Sequence, residues 1–240
     1  MSRLVRPVLL ALVLSAVLFP SAAYAADVTE YQVQYSPVGD STQALLIVTA
    51  VIDPGASLPA TVSVPVPTGA TVLWAGELLG GSPEDDPARA ATMVTIGDMD
   101  VYTFTVERVR LAQVEVGLGA PPITGNRVDG TLVWTNTGPD VLVSGSIVAE
   151  PDAVEIETVP EVIGNRQINS IGETLHPVGS VRLATGESYT IQGLWQRGGA
   201  ESDTGRPLLP IFLGALAVAI VALIAVVVGE RKRARRRSEA

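Results

Sequence analysis

From Glu30 to Gly193 the chain alternates apolar and polar residues with a period of two, interrupted only by short turn clusters. A strand turns successive side chains to opposite faces, so this period specifies strands with one buried side. Candidate strands are Glu30–Ser36, Gln43–Ile52, Ala60–Val66, Ala70–Ala75, Thr92–Ile96, Asp100–Glu107 and Val109–Gly117. A second set is Gly130–Asn136, Val141–Ala149, Val154–Val159, Arg166–Ile171, Gly179–Thr185 and Ser188–Gly193. Clusters such as Asp53-Pro54-Gly55, Pro67-Thr68-Gly69 and Gly138-Pro139-Asp140 separate them. Many short strands with regular turn signals predict an all-β sandwich. Outside the two ends of the chain, no window of ten residues shows a helical period.

Within that pattern, Gln43–Ile52 is apolar on both faces, Leu45 and Ile47 against Leu46 and Val48, which predicts a central strand covered on both sides. Tyr102, Phe104 and Val106 share one face of their strand, with Thr103 and Thr105 on the other. The strongest internal break is near 119–128, where Gly-Ala-Pro-Pro-Ile-Thr-Gly-Asn interrupts the alternation. It leaves open one large β unit or two packed lobes across 26–195. There is no cysteine, so no disulfide, thiolate metal site or thiol nucleophile is available, and stability must come from burial and sheet pairing.

The two ends read differently. From Leu208 to Val228 there are 21 residues without a charge or a hydrogen-bonding side chain. As a helix this run is about 31 Å long, the thickness of a bilayer's hydrocarbon layer. Arg231, Lys232, Arg233, Arg235, Arg236 and Arg237 follow within the tail 229–240, and such a cluster stays cytoplasmic. At the other end, Arg3 and Arg6 precede an apolar stretch and an Ala23-Tyr24-Ala25 site, so 1–25 reads as a secretory signal cleaved after Ala25. The polar, Gly-containing segment 196–207 reads as a short stalk. The expectation is a single-pass type I cell-membrane protein: β-sandwich head outside, one transmembrane α-helix at 208–228, C-terminus in the cytoplasm.

Charge follows the same division. Between Asp27 and Pro207 there are 23 acidic residues against 8 arginines, a net of −15. Such a head repels phosphate backbones, which argues against a nucleic-acid partner. The expected partners are the lipid bilayer and an extracytoplasmic or membrane protein. In the membrane segment Ala215, Ala219 and Ala222 fall on one helical face, a small-residue stripe that permits close helix packing.

Candidate chemistry is sparse. Glu84, Asp85 and Asp86 crowd a proline-bounded loop, and Asp98 and Asp100 alternate at a strand edge. Oxygen ligands in loops suit calcium, although no complete D-x-D-x-D-G loop is present. No other cofactor is implied. Asp203-Thr204-Gly205 spells an aspartic-protease triplet, but as a single copy in the stalk it lacks the facing carboxylate that chemistry needs. The residues ahead of the apolar run, Arg206-Pro207-Leu208-Leu209-Pro210, do not form a sortase signal. His176, the one histidine, is expected in a loop beside Pro177, and no G-x-S-x-G elbow supplies a serine for it. The one lysine, Lys232, lies in the tail. Register places Trp74 with Val72, Trp134 with Leu132, and Trp195 with Tyr189 and Ile191, so all three tryptophans are expected in the core.

The stretch Gly179–Trp195 (GSVRLATGESYTIQGLW) resembles a hairpin of Ig-like bacterial extracellular modules, in which a strand runs into a Gly-Glu turn and returns through an aromatic strand. That resemblance implies an Ig-like sandwich and carries no functional residue. The resulting expectation is a membrane-anchored, non-enzymatic binding or assembly module. An accessory subunit of a membrane complex and a surface adhesin or carbohydrate binder remain as alternatives.

Overall fold

The computed structural model describes residues 24–39, 42–168 and 172–198. The expected membrane segment, the basic tail, nearly all of the expected signal and the stalk from 199 onward lie outside the described residues. The described residues form fifteen strands, one 3₁₀ turn at Pro83–Asp85 and no α-helix. None of their helices is long and apolar enough to cross a membrane. In chain order the strands are β1 (Tyr24–Ala25), β2 (Val28–Ser36), β3 (Leu45–Ile52), β4 (Ala60–Pro67) and β5 (Thr71–Glu77). There follow β6 (Thr92–Ile96), β7 (Met99–Val106), β8 (Leu111–Gly117), β9 (Ile123–Thr124) and β10 (Arg127–Thr135). The last are β11 (Val141–Ala149), β12 (Ala153–Val159), β13 (Gln167–Ile168), β14 (Thr174–Leu183) and β15 (Ser188–Arg197).

These strands make three sheets: a seven-stranded one, β13-β14-β11-β2-β3-β8-β5, and two four-stranded ones, β1-β4-β7-β6 and β12-β15-β10-β9. The large sheet forms one layer, and both small sheets pack on the same face of it. Register shows why. Val143, Tyr31, Ala50 and Ala112 lie side by side across β11, β2, β3 and β8, as do Ile147, Tyr35, Leu46 and Val116. All of these are buried, and they meet Val62, Val64 and Val66 of β4 on one side and Leu132, Ile191 and Trp195 on the other in one continuous core. The break near 119–128 falls where the chain leaves the large sheet for the second small one, and β9 lies inside it. Beyond the break, β11 returns to pair in parallel with β2, so strands from both sides of the break share one sheet.

β3 sits between β2 and β8, buried on both faces apart from Val51, as its two-sided apolar sequence predicts. Phe104 and Val106 are in the core, with Tyr102 packed against it half-buried. Each predicted strand overlaps an observed one, but several ends differ. β14 begins at Thr174 and takes in His176 and Pro177, which the sequence reading leaves in a loop. A proline removes a ladder donor and so belongs near a sheet edge. Among the described residues β14 is flanked outside β11 by the two residues of β13 and a bridge from Val162, so the missing donor is tolerated.

The three sheets meet at Trp134 and Tyr31. Trp134 is fully buried on β10 and donates its indole N–H to the Pro65 carbonyl on β4 at 2.9 Å. Tyr31, on β2, donates its hydroxyl to the Ser63 carbonyl at 2.7 Å, and its ring lies 5.1 Å from the Trp134 ring. Burial pushes the Tyr31 phenol far above its ordinary pKa, so it remains a neutral donor. Where the large sheet packs on the β12-β15-β10-β9 sheet, Gly145 is required for contact. A Cβ there would collide with the Tyr189 ring, whose hydroxyl donates to the Gly179 carbonyl across the bulge in β14.

Truncating Trp134 to Ala is expected to cost about 3–5 kcal/mol, a transfer term plus a residual cavity. Urea unfolding followed by circular dichroism checks this. One shifted transition for the whole head is expected, and loss of one half of the β signal with the other unaltered would contradict the shared core.

Candidate functional site

The acidic residues singled out in the sequence are placed apart. Glu84 and Asp85 are exposed on the 3₁₀ turn and face solvent. Asp86 turns inward and accepts the Leu79 N–H at 2.6 Å; burial, aided by Asp85 and opposed by that bond, raises its pKa. Asp98 is exposed in the turn before β7 and accepts the Thr135 hydroxyl at 3.3 Å. Asp100 is buried beside Val66 of β4, where it accepts the Thr95 hydroxyl at 2.7 Å and the Gly69 N–H at 3.2 Å. It thereby ties the β4–β5 turn to the β6–β7 hairpin. Alternation in sequence therefore does not bring Asp98 and Asp100 to one face, because Asp98 precedes the strand. Among the described residues no group of three or more His, Cys, Asp or Glu lies close enough to hold a metal ion.

His176 is buried opposite Ile147 on the core side of the large sheet, and its Nε2 has no hydrogen-bond partner. Burial, with the Arg166 charge, holds its pKa below the ordinary value. Trp134 and Trp195 are core residues, as register predicts. Trp195 donates to Glu150 at 2.7 Å, and the other oxygen of that carboxylate lies 3.0 Å from Arg197. Trp74 is only half-buried, because a bulge between Val72 and Trp74 shifts it off the regular face at the sheet edge.

Two polar features were not singled out from the sequence. Glu77 ends β5 with no exposed surface. It accepts the Arg108 and Val109 N–H groups at 2.8 and 3.2 Å and the Arg89 guanidinium at 2.7 Å, and Arg89 also bridges to Glu107. Burial raises its pKa, but these donors outweigh it and hold the carboxyl below the usual range. The second feature lies on the face of the large sheet turned away from the core. Gln32, Thr49 and Gln113 stand side by side there on β2, β3 and β8. Thr49 donates to Gln113 at 3.0 Å and Gln113 donates to Glu115 at 2.7 Å. The Gln32 Oε1 is buried without a partner. Burial, opposed by the Gln113 bond and aided by Asp86, pushes the Glu115 carboxyl up to about 7. The signal in sequence is the pair Gln113 and Glu115 alternating with Ala112, Val114 and Val116, a polar face that ordinary patterning assigns to solvent.

The remaining candidates are the sheet edges, since an unpaired strand exposes a row of backbone donors and acceptors. Among the described residues three of the six edges carry a protective device. β9 is two residues long, whereas β1 and β13 each stand at a limit of the described residues. β5 is covered by 87–89, where Glu77 N–H donates to the Pro87 carbonyl and Arg89 N–H to the Ala75 carbonyl. A Cβ on Gly76 would collide with Pro87, so glycine permits that approach. β12 is bulged between Val154 and Glu157, with Glu155 at φ 54 and two charged side chains outward. β6 has none of these. It pairs with β7 in unbroken register over all five residues, and every one of them is exposed: Val94 is 62% accessible, Met93 50% and Ile96 49%.

No family model matches the chain, and no curated protein matches it. The functional reading therefore rests on these residues.

Glu115→Gln is expected to raise stability at pH 8 by about 1–3 kcal/mol and to change it little at pH 4. A carboxyl raised in the folded state stabilises fully below its unfolded pKa of about 4.3, and that contribution fades as pH rises toward 7. Thermal melts at the two pH values check the sign; an equal shift at both refutes it. Glu77→Gln carries the opposite sign. Its depressed carboxyl stabilises at neutral pH and loses that contribution in acid, so the variant is expected to lose about 1–3 kcal/mol at pH 7 and less at pH 3.

Proposed function

We propose that this protein is a single-pass membrane protein whose Ig-like all-β head stands outside the cytoplasm and binds another protein through an exposed sheet edge, without catalysis. The observation that carries the reading is β6, an uncharged edge strand left bare on a head whose net charge is −15 between Asp27 and Pro207. Such a strand is a template for pairing with another chain. The 208–228 run and its basic flank support the anchor. The last described residue, Gly198, precedes Leu208 by ten positions. An extended linker of that length spans about 33–36 Å at most, which keeps the head near the bilayer. Burial of Trp134 and Trp195 removes two of three tryptophans from any sugar-stacking surface and favours a protein partner over a glycan. A second reading, an accessory subunit whose helix packs through Ala215, Ala219 and Ala222, draws on the small-residue stripe.

Carbonate extraction of membranes is expected to leave the full chain in the pellet, while deletion of 208–240 sends the head to the supernatant. Protease added to sealed cells is expected to digest the head. Recovery of the intact full chain in the carbonate supernatant would sink the anchored reading.

A further inference from the structure

We propose that the loop between β5 and β6 carries a pH-gated lid: its tip, residues 79–86, closes against the large sheet while the Glu115 carboxyl is protonated and lifts when that carboxyl ionises. This goes beyond the edge-binding reading above and does not rest on it.

The loop has a fixed neck and a tip bonded to itself. At the neck the Glu77 N–H donates to the Pro87 carbonyl at 3.2 Å, the Arg89 N–H to the Ala75 carbonyl at 2.8 Å, and the Arg89 guanidinium to Glu77 at 2.7 Å. In the tip the Asp85 and Asp86 N–H groups donate to the Ser82 and Pro83 carbonyls, and Asp86 accepts the Leu79 N–H at 2.6 Å. Gly80, at φ 77 and followed by Gly81, supplies a hinge just past the neck. A Cβ on Gly76 would meet both the Pro87 carbonyl and the Trp74 ring. Loop and ring therefore share the space over Gly76, whose partner across the ladder is Gln113, while Trp74 itself pairs with Glu115.

The surroundings of Glu115 favour its neutral form. It is buried, and its own strand gives it one amide donor, Gln113 at 2.7 Å. Its ladder neighbours, Trp74 on β5 and Ile47 on β3, bring no charge, and neither do Gly76 and Thr49 in the next row. Glu30, on β2, is bound by the Ser144 hydroxyl. The loop brings a second carboxylate, Asp86, whose charge acts on Glu115, with Asp85 acting on Asp86 in turn. The loop's cation, Arg89, is held by Glu77 and Glu107. A buried carboxylate facing a like charge is costly to ionise. Lifting the tip takes Asp86 away and lets water reach Glu115. The sign follows from the raised carboxyl, which burial, opposed by Gln113 and aided by Asp86, pushes up to about 7. The closed form is fully favoured below the ordinary carboxyl value of about 4.3, loses that advantage as pH rises through 7, and loses no more beyond it. Asp86, itself raised by burial, acts in the same direction.

Trp74 reports on the lid, because Trp134 and Trp195 are buried and the chain has three tryptophans. Acrylamide quenching of tryptophan fluorescence, measured on the full chain in detergent micelles, is expected to at least double between pH 5 and pH 7.5 and to level off above that. Glu115→Gln, neutral at every pH, is expected to keep the low pH 5 value throughout. Asp86→Asn removes the facing charge but retains an acceptor for the Leu79 N–H, and is expected to shrink the rise. Trp74→Phe is expected to abolish it. Equal quenching of the unaltered chain at pH 5 and pH 8 overturns the proposal, and so does a rise that survives Glu115→Gln. A rise that survives Trp74→Phe also overturns it, since the buried tryptophans would then have become accessible. Circular dichroism at both pH values is expected to show the same strand signal; its loss at pH 8 would mean general unfolding and no lid. The measurement needs neither a partner nor a bilayer, so its failure leaves the anchored, edge-binding reading untouched.

Discussion

Two buried donors hold this head together, the Tyr31 hydroxyl on Ser63 and the Trp134 indole on Pro65. Both bonds end on β4, and they start from the other two sheets. Each buried donor would otherwise face a cost of about 1–3 kcal/mol for lying unsatisfied. The rings that carry the donors are themselves in contact, so the bonds and the packing reinforce each other. A chain without cysteine has no covalent means of fixing three sheets in place. Aromatic side chains with one polar atom do that work here, because each fills the core and satisfies a backbone group in a neighbouring sheet.

The same constraint explains how the two halves of the sequence cooperate. A seventy-residue β unit buries too small a fraction of its surface to be secure alone. Parallel pairing of β11 with β2 avoids that problem by extending one sheet through both halves. The two small sheets then share a core in which Val143, Tyr31 and Ala50 are neighbours despite their separation in sequence. Long-range pairing of this kind is entropically costly to form and slow to nucleate.

Much of the strand pattern was legible because period-two alternation reports burial on one face. β6 and β11 have the predicted limits, and β3 has its predicted central place. The errors have physical causes. His176 and Pro177 read as loop because proline usually ends a strand, yet a weakly flanked strand accepts one. Asp98 and Asp100 alternate in sequence but not in space, since Asp98 lies in the turn before the strand that carries Asp100. Glu77, Gln113 and Glu115 passed unremarked because a polar residue in an alternating strand is assigned to solvent by default. Glu77 is enclosed by Arg89 and by the Arg108–Val109 backbone that donate to it, and nothing local in the chain signals that contact.

The amino-acid order alone determined that the head would be strands, that no disulfide or thiol chemistry was open to it, and that an apolar run and a basic flank stand at 208–237. Those properties follow from side-chain period, composition and charge, which are local. Only the tertiary structure decided which strands are edges, which carboxylates are buried and which apolar residues stay exposed. An edge is defined by the strand that fails to arrive beside it, and that depends on pairings between residues far apart in the chain. β6 reads in sequence like any other half-buried strand; its outer side is bare because no described strand pairs with it there.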